Sequence, residues 1–243
     1  MVRSVRDDAN ILGYGNVFPI ADIGELSARL KPGTAYHRIG NFFYYNDFEF
    51  GLGPMIFDVA AGNNYGELVN GEAFSGSVSA HLVSDVSLSD FAGLMVYLPP
   101  LEWTSFGISF LFKCPTHIGI LLFYIRIVRY PRVMYAAIRY EDINRRWIAI
   151  NTDYQEVTIA TGLEVMKSPF VWHHLYFSFD AQKNTFKKLI FDENTIDISS
   201  VTISQKTVME KSHILTSIYA FGDGSTATDM YVDTVAFMQN VEH

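Results

Sequence analysis

The chain has 243 residues, of which 49% are hydrophobic, 15% aromatic and 18% charged, a composition that supplies a large core and excludes a disordered protein. Its formal charge of −8 repels phosphate and anionic lipid, so nucleic acid is excluded as an expected partner. Cys114 is the only cysteine, so no internal disulfide forms. The first residues lack the apolar region of a signal peptide, and the longest apolar run, 118–125, is too short to span a bilayer. We therefore expect a globular protein, synthesised in the cytoplasm without a signal peptide and with no membrane partner.

Residues 1–40 differ from the rest of the chain because they carry a helical pattern rather than alternation. Asp22 followed by Glu25 resembles a capping box, and Pro32 and Gly33 end the pattern. Three apolar side chains fall on one helical face: Ile23, Leu26 and Leu30. The pattern predicts an N-terminal arm with a short amphipathic helix. Its apolar stripe would pack either on the sandwich of its own chain or on a second subunit, which gives a homo-oligomer.

Over residues 41–243 short alternating segments are separated by turn residues. The predicted strands are 42–50, 55–60, 67–70, 77–84, 93–98, 105–113, 117–129, 132–140, 146–151, 154–160, 171–180, 185–192, 194–198, 213–221 and 229–238. The sequence has no repeat period and, in this part, no helical pattern of ordinary length. It therefore predicts an all-β fold, a two-sheet antiparallel β-sandwich or jelly roll that forms one domain.

The segment 171–180 carries the clearest strand pattern in the chain. Its two faces carry Val171, His173, Leu175, Phe177 and Phe179, and Trp172, His174, Tyr176, Ser178 and Asp180. The first face suits a sandwich core, whereas the second forms an aromatic, hydrogen-bonding row. Segment 117–129 is instead apolar on both faces, which predicts a central strand covered by protein on each side.

Several segments carry a family resemblance. They read FGISFLFK (106–113), WHHLYFSFD (172–180), KLIFD followed by TIDI (188–198) and YVDTVAF (231–237). These segments resemble strands of the concanavalin A-like lectin and glucanase jelly rolls, which include laminin-G domains, legume lectins and many carbohydrate-binding modules. The resemblance covers about residues 42–240 and implies a concanavalin A-like sandwich. In that family the residue matching Trp172 packs against the neighbouring strand, which gives the row around it a structural role.

A second resemblance concerns a metal ion. The segments NDFE (46–49) and EAFSG (72–76) are similar to the opening of jelly-roll carbohydrate-binding modules that hold a structural calcium ion. Carried over, this implies Glu49 and Asp233 as calcium ligands, completed by backbone carbonyls near Gly76 and by water, because calcium takes six to eight oxygens. The alternative is that Asp47 and Glu49 are solvent-facing strand carboxylates.

Candidate sugar-binding residues are aromatic side chains beside polar ones, since flat rings pack on the apolar faces of pyranoses. Trp147 shares a strand face with Arg145 and Asn151. The opposite face carries Ile148 and Ile150, so Trp147 is predicted to point away from the core as a binding platform. The alternative is a tryptophan stacked under an arginine at a sheet edge. The predicted ligand-binding set comprises Trp147, Arg145, Asn151, Tyr154 and Trp103.

The sequence gives no positive sign of catalysis. It lacks the Glu-x-Asp-x-x-Glu strand with which related glucanases place two carboxylates for hydrolysis, and Asp47 with Glu49 lacks the third one. Nucleophile-elbow, P-loop and dinucleotide motifs are also missing. A catalytic pair assembled from distant strands stays open, but we predict that the protein is not an enzyme.

The resemblance and the aromatic candidates together predict a non-catalytic, lectin-like protein whose partner is a glycan or polysaccharide. The alternative is a structural, assembly or attachment subunit of a virion, phage tail or surface layer, built on the same sandwich. The missing signal peptide and the amphipathic arm favour that alternative, which would be virion-associated or externally displayed. A glycoside hydrolase ranks third.

Overall fold

The computed structural model describes residues 41–99 and 101–241, which form two antiparallel β-sheets and contain no helix. The predicted arm, 1–40, lies outside the described residues. The first sheet contains, in spatial order, β13 (Asn194–Asp197), β12 (Thr185–Phe191), β11 (His173–Asp180), β6 (Ser105–Lys113), β16 (Thr228–Gln239), β4 (Val78–Ser84) and β3 (Tyr65–Asn70), with β1 (Asn41–Asn46) beside β16. The second contains β10 (Glu156–Thr161), β9 (Arg146–Ile150), β8 (Arg132–Glu141), β7 (Ile120–Arg129), β15 (His213–Phe221), β5 (Phe91–Leu98) and β2 (Met55–Val59), with β14 (Gln205–Thr207) beside β8.

The core lies between the two sheets and is built from alternate side chains of their strands. On β6, the inward face carries Phe106, Ile108, Phe110 and Phe112, all buried. Phe123 of β7 meets this face from the other sheet, with ring centroids 5.3 Å from Phe110 and 5.4 Å from Phe112. The predicted two-sheet sandwich is confirmed.

The strand around 171–180 becomes β11, the third strand of the first sheet, with its predicted inward face in the core. His173 pairs with the Asp192 carboxylate at 2.8 Å. On the other face His174 Nε2 lies 2.9 Å from Ser109 Oγ, and both side chains are buried. On the face that the pattern marked as aromatic and hydrogen-bonding, this bond therefore joins buried side chains of β11 and β6.

The outward side chains of β7 lie beside a groove on the outside of the second sheet. Leu122, Tyr124 and Arg126 are half-buried, and Leu122 lines the groove. The predicted cover of this outer face stays a prediction, because the arm lies outside the described residues. No helix in the described part of the chain is long and apolar enough to cross a membrane.

Candidate functional site

Four tyrosines form a row across the outer face of the second sheet. Their ring centroids are separated by 5.7 Å from Tyr154 to Tyr135, 5.2 Å from Tyr135 to Tyr124 and 6.0 Å from Tyr124 to Tyr219. The last pair is stacked, with planes only 8° apart. Tyr135, Tyr124 and Tyr219 belong to the adjacent strands β8, β7 and β15, and neighbouring strands lie about 4.8 Å apart. The rings therefore form a continuous aromatic strip, which we call the tyrosine row.

One end of the tyrosine row is held by a glycine and a carboxylate. Gly93 of β5 lies opposite Tyr219 of β15, and a Cβ at Gly93 would fall 2.2 Å from Cδ1 of that ring. The Tyr219 hydroxyl donates a hydrogen bond to Asp58 Oδ2 at 2.7 Å. The Tyr219 ring can thus pack directly on the backbone of Gly93, and its hydrogen bond holds it in one position.

The other end is held by a tight turn. Asn151 is buried, and its Oδ1 accepts hydrogen bonds from the backbone N–H groups of Asp153 and Gln155 at 2.9 and 3.1 Å. Within this turn Tyr154 has a φ of +59° and its side chain is exposed. The turn therefore presents Tyr154 beside the Tyr135 ring.

Tyr135 and Tyr219 stay protonated. Burial is the largest cause raising the pKa of both Tyr135 and Tyr219 well above the usual value near 10. A neutral phenol can donate a hydrogen bond and presents an uncharged ring face, the two properties that contact with a sugar requires. The row suits recognition of hydroxyl-rich ligands.

Arginine–glutamate pairs flank the tyrosine row. Arg126 Nη2 lies 2.6 Å from Glu210 Oε1. Arg139 Nη2 lies 2.6 Å from Glu141 Oε1 and 2.7 Å from Glu156 Oε2. These pairs place charged hydrogen-bonding groups at the edges of the aromatic strip.

A cavity of about 220 Å³ opens between the tyrosine row and the loop before β5. Its walls combine apolar side chains, two tyrosines and one ion pair: Leu88, Ile120, Leu122, Tyr135, Arg139, Ile150, Tyr154, Glu156 and Phe221. Its location beside the row makes the two features one candidate binding groove.

The predicted outward orientation of Trp147 is wrong. Its side chain is completely buried, and its Nε1 donates a hydrogen bond to the Leu163 carbonyl at 2.9 Å. The ring packs against Tyr140 and Phe191, with centroids 4.9 and 4.8 Å away. Ile148 and Ile150 lie on the opposite, outer face of β9, and Ile150 lines the cavity. Trp147 is therefore a core residue and does not form the predicted platform.

The other predicted ligand-binding residues are dispersed. Arg145 lies in a turn with φ +48° and pairs with Glu164 at 2.6 Å. Trp103 is half-buried, and its Nε1 donates to the Ala181 carbonyl. Asn151 holds the turn described above, and Tyr154 alone of the predicted set belongs to the tyrosine row.

Glu49 and Asp233, the predicted calcium ligands, converge on the loop before β4. Glu49 Oε1 accepts hydrogen bonds from the N–H groups of Ser77 and Val78 at 2.6 and 2.7 Å. Gly76 has a φ of +73°, and a Cβ there would lie 2.3 Å from Glu49 Oε1. The loop thus wraps the Glu49 carboxylate.

Asp233 binds the same loop from the other side. Its Oδ2 accepts hydrogen bonds from the N–H groups of Phe74 and Ser75 at 2.8 and 2.7 Å. Its Oδ1 is buried without a hydrogen-bond partner, and burial raises the pKa of this carboxyl to about 7. A lone buried carboxylate oxygen fits a cation. Among the described residues, no three His, Cys, Asp or Glu side chains form a metal-binding group, so backbone carbonyls and water would have to complete the shell.

Sequence reasoning missed three of the four tyrosines in the row, namely Tyr124, Tyr135 and Tyr219. One signal was present: β7 is apolar or aromatic at successive positions, although only one of its faces is in the core. An aromatic outer face produces this pattern as readily as complete burial does.

No protein-family model and no curated protein matches the sequence. Solved structures share the fold. An endo-β-1,4-glucuronan lyase from the fungus Trichoderma reesei has a TM-score of 0.52 at 15% identity, covering 82% of this chain and 96% of that chain. A Bacillus subtilis protein of unknown function with a galectin-like fold has a TM-score of 0.54 at 12% identity, covering 85% and 99%. The fold is of the concanavalin A-like type. The potassium-bound carbohydrate recognition domain of Emp46p likewise has a TM-score of 0.51 at 13% identity, covering 85% and 98%.

Proposed function

We propose that the protein is a non-catalytic carbohydrate-binding protein and that an oligosaccharide lies along the tyrosine row. The observation that carries this proposal is the uninterrupted series of ring contacts from Tyr154 to Tyr219, an extended aromatic surface on which the apolar faces of sugar units can pack. The flanking arginine and glutamate groups supply hydrogen bonds for hydroxyls at the margins.

A binding role agrees with the state of the carboxylates on this face. A general acid for glycoside cleavage needs a raised pKa. For Glu141 desolvation is the largest single effect and raises the pKa, but hydrogen bonds from Arg146 and Asn144 together with the charge of Arg139 lower it below its usual value. For Glu210 the hydrogen bond from Arg126 is the largest effect and lowers the pKa. The carboxyl whose pKa is raised, Asp233, belongs to the first sheet and contacts the 74–78 loop.

The experiment is a glycan array followed by calorimetric titration of the selected oligosaccharide. In Tyr124→Ala we expect the affinity to fall about tenfold, which corresponds to about 1.4 kcal/mol, because the ring between Tyr135 and Tyr219 can no longer contact a sugar unit. Tyr65→Ala is the matched control, because Tyr65 is an exposed tyrosine on the first sheet. Equal loss in both variants, or no glycan bound at all, would contradict the proposal.

We also propose that Asp233 holds a structural calcium ion through its otherwise unpaired Oδ1, while Glu49 orders the loop. When bound, the ion would neutralise the buried carboxylate and tie β16 to the loop before β4. Calcium should raise the melting temperature of the wild type and leave that of Asp233→Asn unchanged. Asp197→Asn is the control, because Asp197 is an exposed aspartate that caps a turn. An equal response in Asp233→Asn would exclude this site.

A further inference from the structure

We propose that the ligand of the tyrosine row is an uncharged glycan rather than a polyuronate or another acidic polysaccharide. This inference rests on the proposed carbohydrate-binding function and defines the chemical class of its ligand. It is carried by the pairing of the arginines beside the row and by the lining of the adjacent cavity.

Each arginine beside the row already has a carboxylate partner. Arg126 lies opposite Tyr135 in the strand register and is paired with Glu210 at 2.6 Å. Arg139 lies between Glu141 and Glu156, at 2.6 and 2.7 Å. Each guanidinium keeps N–H groups that can donate to a ligand, but its positive charge is already balanced by one or two glutamates. A uronate carboxylate would therefore gain little net electrostatic attraction from either arginine.

Glu141 is the partner that would be hardest to displace. Its side chain is 10% exposed, and its second oxygen accepts hydrogen bonds from Arg146 Nε at 2.7 Å and Asn144 Nδ2 at 2.9 Å. Its pairing with Arg139 is therefore fixed from both sides. The guanidinium that lines the cavity is neutralised before any ligand arrives.

The cavity adds a desolvation cost for a charged ligand. Apart from Arg139 and Glu156, its lining is aliphatic or aromatic. A uronate carboxylate placed there would lose water, face Glu156 and find no unpaired cation among the lining residues. A hydroxymethyl group in the same place would be buried beside the Arg139–Glu156 pair, and its hydroxyl could form hydrogen bonds with that pair. The formal charge of −8 adds long-range repulsion of a polyanion.

The test uses hexose oligosaccharides, each paired with its own C6-oxidised form, which adds carboxylates without changing the linkage. We expect the wild type to bind the neutral form of a pair, and to bind the oxidised form about tenfold or more weakly at low ionic strength. The double variant Glu156→Gln/Glu210→Gln removes the carboxylate partner of Arg126 and one of the two carboxylate partners of Arg139. It should bind the oxidised form about tenfold more tightly than the wild type does.

The control is Glu67→Gln/Glu193→Gln, which makes the same change in net charge at two exposed glutamates, one on β3 and one in the turn between β12 and β13. It should leave the preference unchanged. Wild-type preference for oxidised forms, with Tyr124→Ala abolishing that binding, would overturn this inference and leave the proposed function standing. A double variant with no gain for the oxidised form would also overturn it. Failure of both forms of every pair to bind would overturn the proposed function as well.

Discussion

Asp233 gives the most quantitative prediction. Burial raises its pKa from 3.8 to about 7, although two hydrogen bonds that Oδ2 accepts from backbone N–H groups act to lower it. Because the folded-state pKa lies above the unfolded-state value, the folded protein holds this proton more tightly. The resulting stabilisation is fully present below the unfolded pKa and is lost as the pH rises through the folded one. A shift of about three pH units corresponds to about 4 kcal/mol of unfolding free energy.

The perturbation is Asp233→Asn. The asparagine amide oxygen can still accept the hydrogen bonds from both N–H groups, but the side chain does not titrate. Urea unfolding of both proteins is measured with a chelator from about pH 4 to about pH 8. Relative to the variant, the wild type should lose about 4 kcal/mol of stability across this interval. Calcium added at the upper pH should restore the wild type alone. Parallel pH dependences of the two proteins would refute this account of Asp233.

Two further variants test the core and the groove. Trp147→Phe keeps an aromatic ring in the core but leaves the Leu163 carbonyl without its hydrogen-bond donor. Urea unfolding should therefore show that the free energy of unfolding falls by about 2–4 kcal/mol. A decrease below about 0.5 kcal/mol would indicate that the side chain lies on the surface. Gly93→Ala should displace the Tyr219 ring, costing about 1–3 kcal/mol of stability and weakening glycan binding; unchanged affinity would show that this end of the tyrosine row is not used.

The sandwich could be predicted because several strands carry apolar residues on one face only. Phe106, Ile108 and Phe110 alternate with Gly107 and Ser109, so period two alone decides which side enters the core. Where alternation is clear, the inward face is determined by burial. No knowledge of the partner strand is needed.

Trp147 could not be placed in this way. In β9 it is followed by Ile148, Ala149 and Ile150, so both faces are apolar and their pattern cannot say which one is inside. The choice depends on tertiary contacts, namely the Tyr140 and Phe191 rings that receive the indole. The same ambiguity concealed the groove, because an outer face built for ligand contact resembles a second core face.

The tyrosine row could not be predicted from a single sequence. Tyr124, Tyr135 and Tyr219 come from three strands, and they meet because β7 pairs with β8 on one side and with β15 on the other. That order follows from the topology of the whole sandwich. By contrast, Glu49 and Asp233 were brought to one loop as the family resemblance implies, although they are separated by most of the chain.

The most direct test of the central claim is a crystal structure of the protein with the oligosaccharide that binds most tightly. We expect sugar rings stacked on Tyr124 and Tyr135 and extending toward Tyr219 on the outer face of the second sheet. Sugar bound instead on the first sheet, with the tyrosine row exposed to solvent, would contradict it.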